Sequence, residues 1–228
     1  MTWQKFCHAC RTGGVKLTLL QMSSKVAVLA FMLSVLASRS LALVSSLNKA
    51  AISRRLASNT KIAATIPSAT VDIISPPSAE SSEPSYQFSE ADLGELLKSH
   101  KKAVLFAVPG AFTPTCSGKH LPGFIDNFAA LKAKGVDAIY CLSVNDKYVM
   151  RAWAEATPGC KDTGIKLVAD GNGDFAKAFG LSKDATGGKM GIRCTRFAAI
   201  VEEGNVTSLQ VDEKGLEKSS AENILSLL

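Results

Sequence analysis

Residues 102–124 read KAVLFAVPGAFTPTCSGKHLPGF. Lys102–Val108 is a short run with an apolar core and no polar alternation, which predicts a buried strand. Pro109-Gly110 and Pro114 then punctuate a loop. A helix is expected from about Thr115 to Lys132, kinked at Pro122-Gly123. Cys116 therefore falls in the first turn of a helix. Free backbone N–H groups and the positive end of the helix dipole favour thiolate over thiol there. Position alone leaves two readings open, a reactive cysteine and a buried inert one.

Val136–Val144 (VDAIYCLSV) and Ile165–Ala169 read as further buried strands, and Val71–Ile74 as an earlier one. Ser89 opens a capping pattern before ADLGELLKS, so a short helix is expected over about 89–99. Asp146 is placed to cap a helix through Ala156, and Asp174–Phe179 forms another. Arg196–Val201 and Val206–Val211 read as two strands around a Gly204-Asn205 turn. Ser219-x-x-Glu222 reads as a capping box before a last helix. Strands alternating with helices and ending in a hairpin argue for a three-layer α/β domain with a mixed sheet.

The ends of the chain differ in charge. Residues 1–71 hold nine of the 26 Lys and Arg and no Asp or Glu, so the remaining 17 basic and 20 acidic residues leave residues 72–228 at −3. That body has no basic stripe of the kind a nucleic-acid binder needs. The basic first segment, rich in Ser, Thr and Ala, reads as a targeting leader over 1–60, ahead of a domain over 61–228. Its apolar run Val26–Ala37 is too short to span a bilayer comfortably and suits a signal-peptide core. The Ser-rich basic stretch Leu43–Lys61 resembles a transit peptide. Plastid import is the expectation and a mitochondrial presequence the alternative, with no membrane anchor in the mature form. Ser75–Ser85 reads as a linker or loop.

Six cysteines stand at 7, 10, 116, 141, 160 and 194, and three histidines at 8, 100 and 120. Their scatter does not suit a disulfide scaffold, and a metal site would have few ligands. No cofactor or metal is expected. Cys7-His8-Ala9-Cys10 is a bare pair inside the leader, weak evidence for zinc. Gly171-Asn172-Gly173 is a turn, since no Lys-Ser/Thr follows as a phosphate loop requires.

The segment PGAFTPTCSGKHLPGF resembles the active-site signature of peroxiredoxins, in the type II, peroxiredoxin-5-like branch. The resemblance extends over about residues 100–228 and includes CLSVNDKYVMRAW and the RFAAIVEEG hairpin. It implies a thioredoxin-like α/β fold, with a mixed central sheet flanked by helices. The family pattern of Pro, Thr and Cys falls on Pro109, Thr113 and Cys116, and its arginine on Arg196, with Arg193 a poorer fit. The implied activity is reduction of hydrogen peroxide and alkyl hydroperoxides by the Cys116 thiolate, stabilised by Arg196. Thr113 would contact the bound peroxide, with main-chain N–H groups at Thr115 and Cys116 holding its oxygen. Cys116 would pass through the sulfenic acid.

Cys141, 25 residues after Cys116, has the spacing of a type II resolving cysteine, but packing in a buried strand is the competing reading. Cys194 is a rival resolving thiol, and Cys160 reads as incidental. The animal-branch resolving position corresponds to Lys218, so that route is absent. Thr115 resembles the plant and algal branch. The implied reductants are glutaredoxin with glutathione, or thioredoxin. The implied assembly is a homodimer, to which Phe112 would contribute. His120, at i+4 from Cys116, either shapes the entrance or holds a structural hydrogen bond. A thiol–disulfide oxidoreductase is disfavoured because Lys119 stands where C-x-x-C needs its second cysteine. A redox sensor using Cys116 is the remaining alternative.

Overall fold

Every residue from Ala103 to Val108 is buried, so the strand they form (β4) lies at the middle of a sheet covered on both faces. A computed structural model of the chain describes residues 64–77 and 85–228. The expected leader over 1–60, with its apolar run and Cys7/Cys10 pair, lies outside the described residues, as does most of the Ser75–Ser85 linker.

The strands are β1 (Ala64–Thr65), β2 (Thr70–Ser75), β3 (Gln87–Asp92), β4 (Ala103–Val108), β5 (Ala138–Ser143), β6 (Lys166–Ala169), β7 (Ser182–Asp184), β8 (Ile192–Cys194), β9 (Arg196–Glu202) and β10 (Asn205–Asp212). Eight form one sheet in the order β1-β10-β9-β4-β5-β6-β2-β3, and β7 and β8 pair separately. Strands β4, β5 and β6 are parallel, while the outer pairings are antiparallel. This is the mixed α/β sheet expected from the sequence.

Alternation along β4 sorts the core into two layers. Val104, Phe106 and Val108 face one, with Cys116, Cys141 and Cys160. Ala103, Leu105 and Ala107 face the other, with Cys194 and Phe197. Helices α1 (Leu93–Lys98) and α5 (Asp174–Ala178) cover the second layer through Leu93, Leu97 and Phe175. The first is covered by α2 (Leu121–Asp126), α3 (Phe128–Ala133), α4 (Lys147–Ala156) and α6 (Ala221–Leu227).

Local readings fail in five places. The helix expected over 89–99 starts only at Leu93. Ser89 belongs to β3, which pairs antiparallel with β2 from Ser75↔Gln87 to Thr70↔Asp92. The cap is Asp92, whose Oδ1 accepts the Glu95 amide at 3.0 Å. A ladder with a distant strand overrode a local capping pattern. The expected capping box also shifts by one residue. Ser220 caps α6 by accepting the Asn223 amide, whereas the Ser219 hydroxyl donates to Asp212. The β9–β10 turn sits at Glu203-Gly204, both with positive φ, as a two-residue hairpin turn of this hand requires. The small β7–β8 sheet, built from largely exposed residues, had no hydrophobic pattern to announce it.

The helix expected over 115–132 is in three parts. Cys116–His120 forms a π turn, α2 follows, and Asn127 breaks the chain before α3. The cause of the wide turn is Pro122. In an α-helix its ring would meet the Gly118 carbonyl and supply it no N–H. Instead the Leu121 amide donates to the Cys116 carbonyl, one residue further back than in an α-helix.

Candidate active site

The site lies where β4 ends and the helical segment begins. The first helical hydrogen bond runs from the Ser117 amide to the Thr113 carbonyl, at 2.9 Å. The amides of Thr115 and Cys116 precede it and so have no partner within the helix. Cys116 itself is fully buried.

Arg196, the first residue of β9, reaches across the sheet to this sulfur. Its Nη2 donates to Cys116 Sγ at 3.3 Å, and it is only 7% exposed. A guanidinium N–H aimed at sulfur stabilises negative charge there through a charge-assisted hydrogen bond. Nη1 of the same guanidinium lies 2.9 Å from His120 Nδ1. His120 Nε2 in turn lies 2.9 Å from the Ser219 carbonyl oxygen. A carbonyl only accepts, so Nε2 carries the proton and Nδ1 accepts from Arg196. Burial pushes the imidazole pKa down to about 4, so the ring is neutral, as this pattern needs.

The remote end of the chain of contacts is Asp212. Its Oδ2 accepts from the Ser219 amide (2.9 Å), the Ser219 hydroxyl (2.7 Å) and the Glu217 amide (3.1 Å), and its Oδ1 from the Lys218 amide (3.0 Å). Burial alone would raise the Asp212 pKa, but these donors outweigh it and hold the carboxyl below its usual range. Sequence reasoning named His120 without its partners and missed Asp212. The capping-box reading of Ser219 pointed the hydroxyl the wrong way along the chain.

On the other side of the sulfur, the Thr113 hydroxyl donates to the Gly110 carbonyl at 2.9 Å. With its proton committed, Thr113 Oγ1 offers only lone pairs to anything bound in front of Cys116. The loop between them is held by polar contacts from its neighbours. Asn145 Oδ1 accepts the Ala111 amide at 3.0 Å and the Ser143 hydroxyl at 2.8 Å. Arg193 donates to the Val144 and Met190 carbonyls at 2.9 and 2.7 Å. It thus pins the segment before β8 to the loop after β5 and does not touch the sulfur. A Cβ on Gly110 would come within 3.3 Å of Thr113 Cγ2 and 3.5 Å of Arg193 Nη1. Pro109 ends β4 and is partly buried beside this glycine. Trp153 Nε1 donates to Ser117 Oγ at 2.9 Å, tying α4 to the π turn.

Four cysteines are described, all buried and all free. Cys116, Cys141 and Cys160 share one core layer, and Cys194 lies in the other. The sheet therefore separates Cys194 from Cys116. Burial pushes the Cys141 thiol well up, with the neighbouring Cys160 and Cys116 adding to the rise. Burial likewise pushes Cys160 and Cys194 up. Among the described residues, no group of three or more His, Cys, Asp and Glu is placed to hold a metal ion.

The arrangement can hold a buried thiolate against a guanidinium and bind a small polar molecule between the Thr113 lone pairs and two free amides. The redoxin family model matches residues 63–225. The chain is 50% identical over 135 residues to peroxiredoxin-2E-2, chloroplastic, of Oryza sativa subsp. japonica, a match covering 58% of this chain and 60% of that protein. It is 47% identical over 133 residues to peroxiredoxin-2B of Arabidopsis thaliana, covering 58% and 81%. The match to the rice protein thus spans under two thirds of that relative's own length. Among solved structures, reduced Prx3 of Vibrio vulnificus in complex with hydrogen peroxide superposes with a TM-score of 0.62 at 44% identity, over 72% of this chain and 96% of that one.

Proposed function

The chain belongs to the redoxin family, as a type II peroxiredoxin of the plant branch, and on that footing we propose that it reduces peroxides with Cys116 as the attacking thiolate. The observation that carries this reading is the 3.3 Å contact of Arg196 Nη2 with the buried Cys116 Sγ, at the start of a helix.

In the proposed cycle, a hydroperoxide ROOH enters in front of Cys116. Its O–H donates to Thr113 Oγ1, which can only accept. Its oxygens accept from the Thr115 and Cys116 amides and from Arg196. The thiolate attacks the terminal oxygen, a sulfur–oxygen bond forms, and the oxygen–oxygen bond breaks. Cys116 becomes the sulfenic acid, a two-electron oxidation of sulfur. The alkoxide takes up the proton that Cys116 gave up on ionising and leaves as ROH. The amides and the guanidinium meet the charge that develops on the departing oxygen. Pro109 fixes the entry of the loop.

The family implies a peroxide substrate and a thiol reductant. For this chain we place glutathione with glutaredoxin, or thioredoxin, in the reductant's role. A thiol condenses with the sulfenic acid to a disulfide and releases water, and a second thiol frees Cys116. Cys141 is the internal candidate for the first step. A homodimer formed around Phe112, a domain over 61–228 and a plastid-targeting leader over 1–60 complete the proposal. The chloroplastic rice relative and the acid-free composition of the leader support the plastid. The sensor alternative is not favoured by the relatives, which are peroxiredoxins by name.

Peroxide consumption coupled to glutathione and glutaredoxin tests this reading. The unaltered chain should turn over many times and Cys116→Ser not at all, with the circular dichroism spectrum unchanged. Equal consumption by both proteins would remove Cys116 from the chemistry.

A further inference from the structure

Arg196 and Asp212 stand opposite each other in the β9–β10 register. Residues so paired project from the same face with Cβ atoms about 5 Å apart. Both are buried, and a direct ion pair between them is the simplest arrangement the sheet offers. It is not made: among the described residues every ion pair lies elsewhere. Asp212 spends its oxygens on Glu217, Lys218 and Ser219. Arg196 spends its donors on His120 and Cys116.

Ser219 joins the two halves. It is fully buried, and all its polar groups are used. Its amide and hydroxyl donate to Asp212 Oδ2, and its carbonyl accepts from His120 Nε2. A carboxylate against Arg196 would offset the guanidinium charge at short range and draw its fork away from the sulfur. A carboxylate already holding four donors has no need of the guanidinium.

We propose that Ser219 is a positioning residue for peroxide reduction: it keeps the Asp212 carboxylate off Arg196 and, through His120, keeps the guanidinium on Cys116. The proposal rests on the peroxidase reading above. Ser219 touches neither sulfur nor peroxide and acts through Arg196.

The test compares the full chain with Ser219→Ala, Asp212→Asn and the double variant. Two rates are read: stopped-flow oxidation by hydrogen peroxide and alkylation of Cys116 by iodoacetamide, followed by mass spectrometry. Removing the Ser219 hydroxyl should slow both roughly tenfold, because the carboxylate is freed to turn to Arg196. Removing the charge as well should bring the double variant back to within about threefold of the unaltered chain. A serine that only holds the turn together predicts the opposite, a double variant at least as slow as Ser219→Ala. That result, or an unaffected Ser219→Ala, overturns the proposal. Asp212→Asn alone gives a further arm that does not depend on Ser219→Ala folding. It keeps an acceptor oxygen for the turn and carries no charge, so it should stay within about threefold of the unaltered chain, and a tenfold loss overturns the proposal. If the unaltered chain consumes no peroxide, the peroxidase reading fails, and the order of the alkylation rates still decides the role of Ser219.

Discussion

Cys141 stands opposite Phe106 in the parallel β4–β5 ladder and opposite Leu167 in the β5–β6 ladder. A thiol so placed has a neighbouring strand on each side. Its sulfur shares a core layer with Cys116 but is not bonded to it, so a bond of about 2 Å requires the packing between them to shift. Resolution by Cys141 therefore competes with any small thiol that reaches the sulfenic acid directly. We predict that Cys141→Ser leaves turnover with glutathione and glutaredoxin within about twofold of the unaltered chain, a change no larger than an ordinary conservative substitution produces. Intact-mass measurement after one equivalent of peroxide, with glutathione present, should find the glutathione adduct on Cys116. An internal Cys116–Cys141 disulfide as the main product would sink this prediction.

Arg196 divides its two terminal nitrogens between His120 and Cys116, which a lysine's single ammonium would not reproduce. A hydrogen bond to a charged group contributes about 1.5–3 kcal/mol, so Arg196→Lys should slow peroxide oxidation roughly 10- to 100-fold. Stopped-flow rates read through the fluorescence of Trp153, which bonds Ser117 beside the site, would check it. A loss under threefold would show that the guanidinium contact is dispensable.

The buried His120 makes stability depend on pH in a defined direction. Its pKa falls from 6.5 in the open chain to about 4 in the fold. Between those values the unfolded chain binds the proton and the folded chain does not. Stability is therefore fully present above pH 6.5 and is lost as pH falls toward 4, by up to about 3 kcal/mol. His120→Asn keeps an acceptor near Nδ1 and removes the titration. Urea midpoints measured from pH 7 to 4 should fall more steeply for the unaltered chain than for His120→Asn. Parallel curves would contradict the neutral, buried imidazole.

Phe112 is 55% exposed and has a positive φ of 59°, a conformation that costs a bulky residue of the order of 1–3 kcal/mol. An aromatic held in this way at a loop tip, next to the Thr113 loop, suits contact with a second copy. Phe112→Gly should relieve this strain and, after subtracting the about 0.4–1 kcal/mol that glycine's extra freedom costs in the unfolded chain, raise the stability of the isolated subunit by up to about 2 kcal/mol. It should also weaken self-association. Sedimentation velocity across a concentration series would separate the two effects, and an unchanged dimer would exclude Phe112 from the interface.

The parts of this molecule legible in its sequence are those whose cause is local. The apolar runs at 102–108 and 136–144 announced β4 and β5 because both are buried on two faces. Thr113, Cys116 and Arg196 were picked out by the resemblance to a known family motif, Arg196 because it stands just before Phe197 of the hairpin. Strand β3 was not legible, since its exposed, polar residues are strand only by pairing with β2. Nor was the relay behind Arg196. His120 and Ser219 are 99 residues apart, and His120 and Arg196 are 76 apart. No pattern along the chain marks a partner at such distances. Asp212 went unnoticed, because only the folded turn brings it the donors that take its oxygens.

The short strand at Ala64–Thr65 would set a limit on any processing of the proposed leader. It lies along the outer edge of β10, and the next residue, Ile66, is buried and donates its amide to the Gly204 carbonyl at 3.1 Å. A processing protease that stops ahead of Ala64 leaves that border of the sheet covered. One that trims past Ile66 strips the last paired residues from β10, uncovers a hydrophobic side chain's seat, and leaves an open strand on which other polypeptides can template.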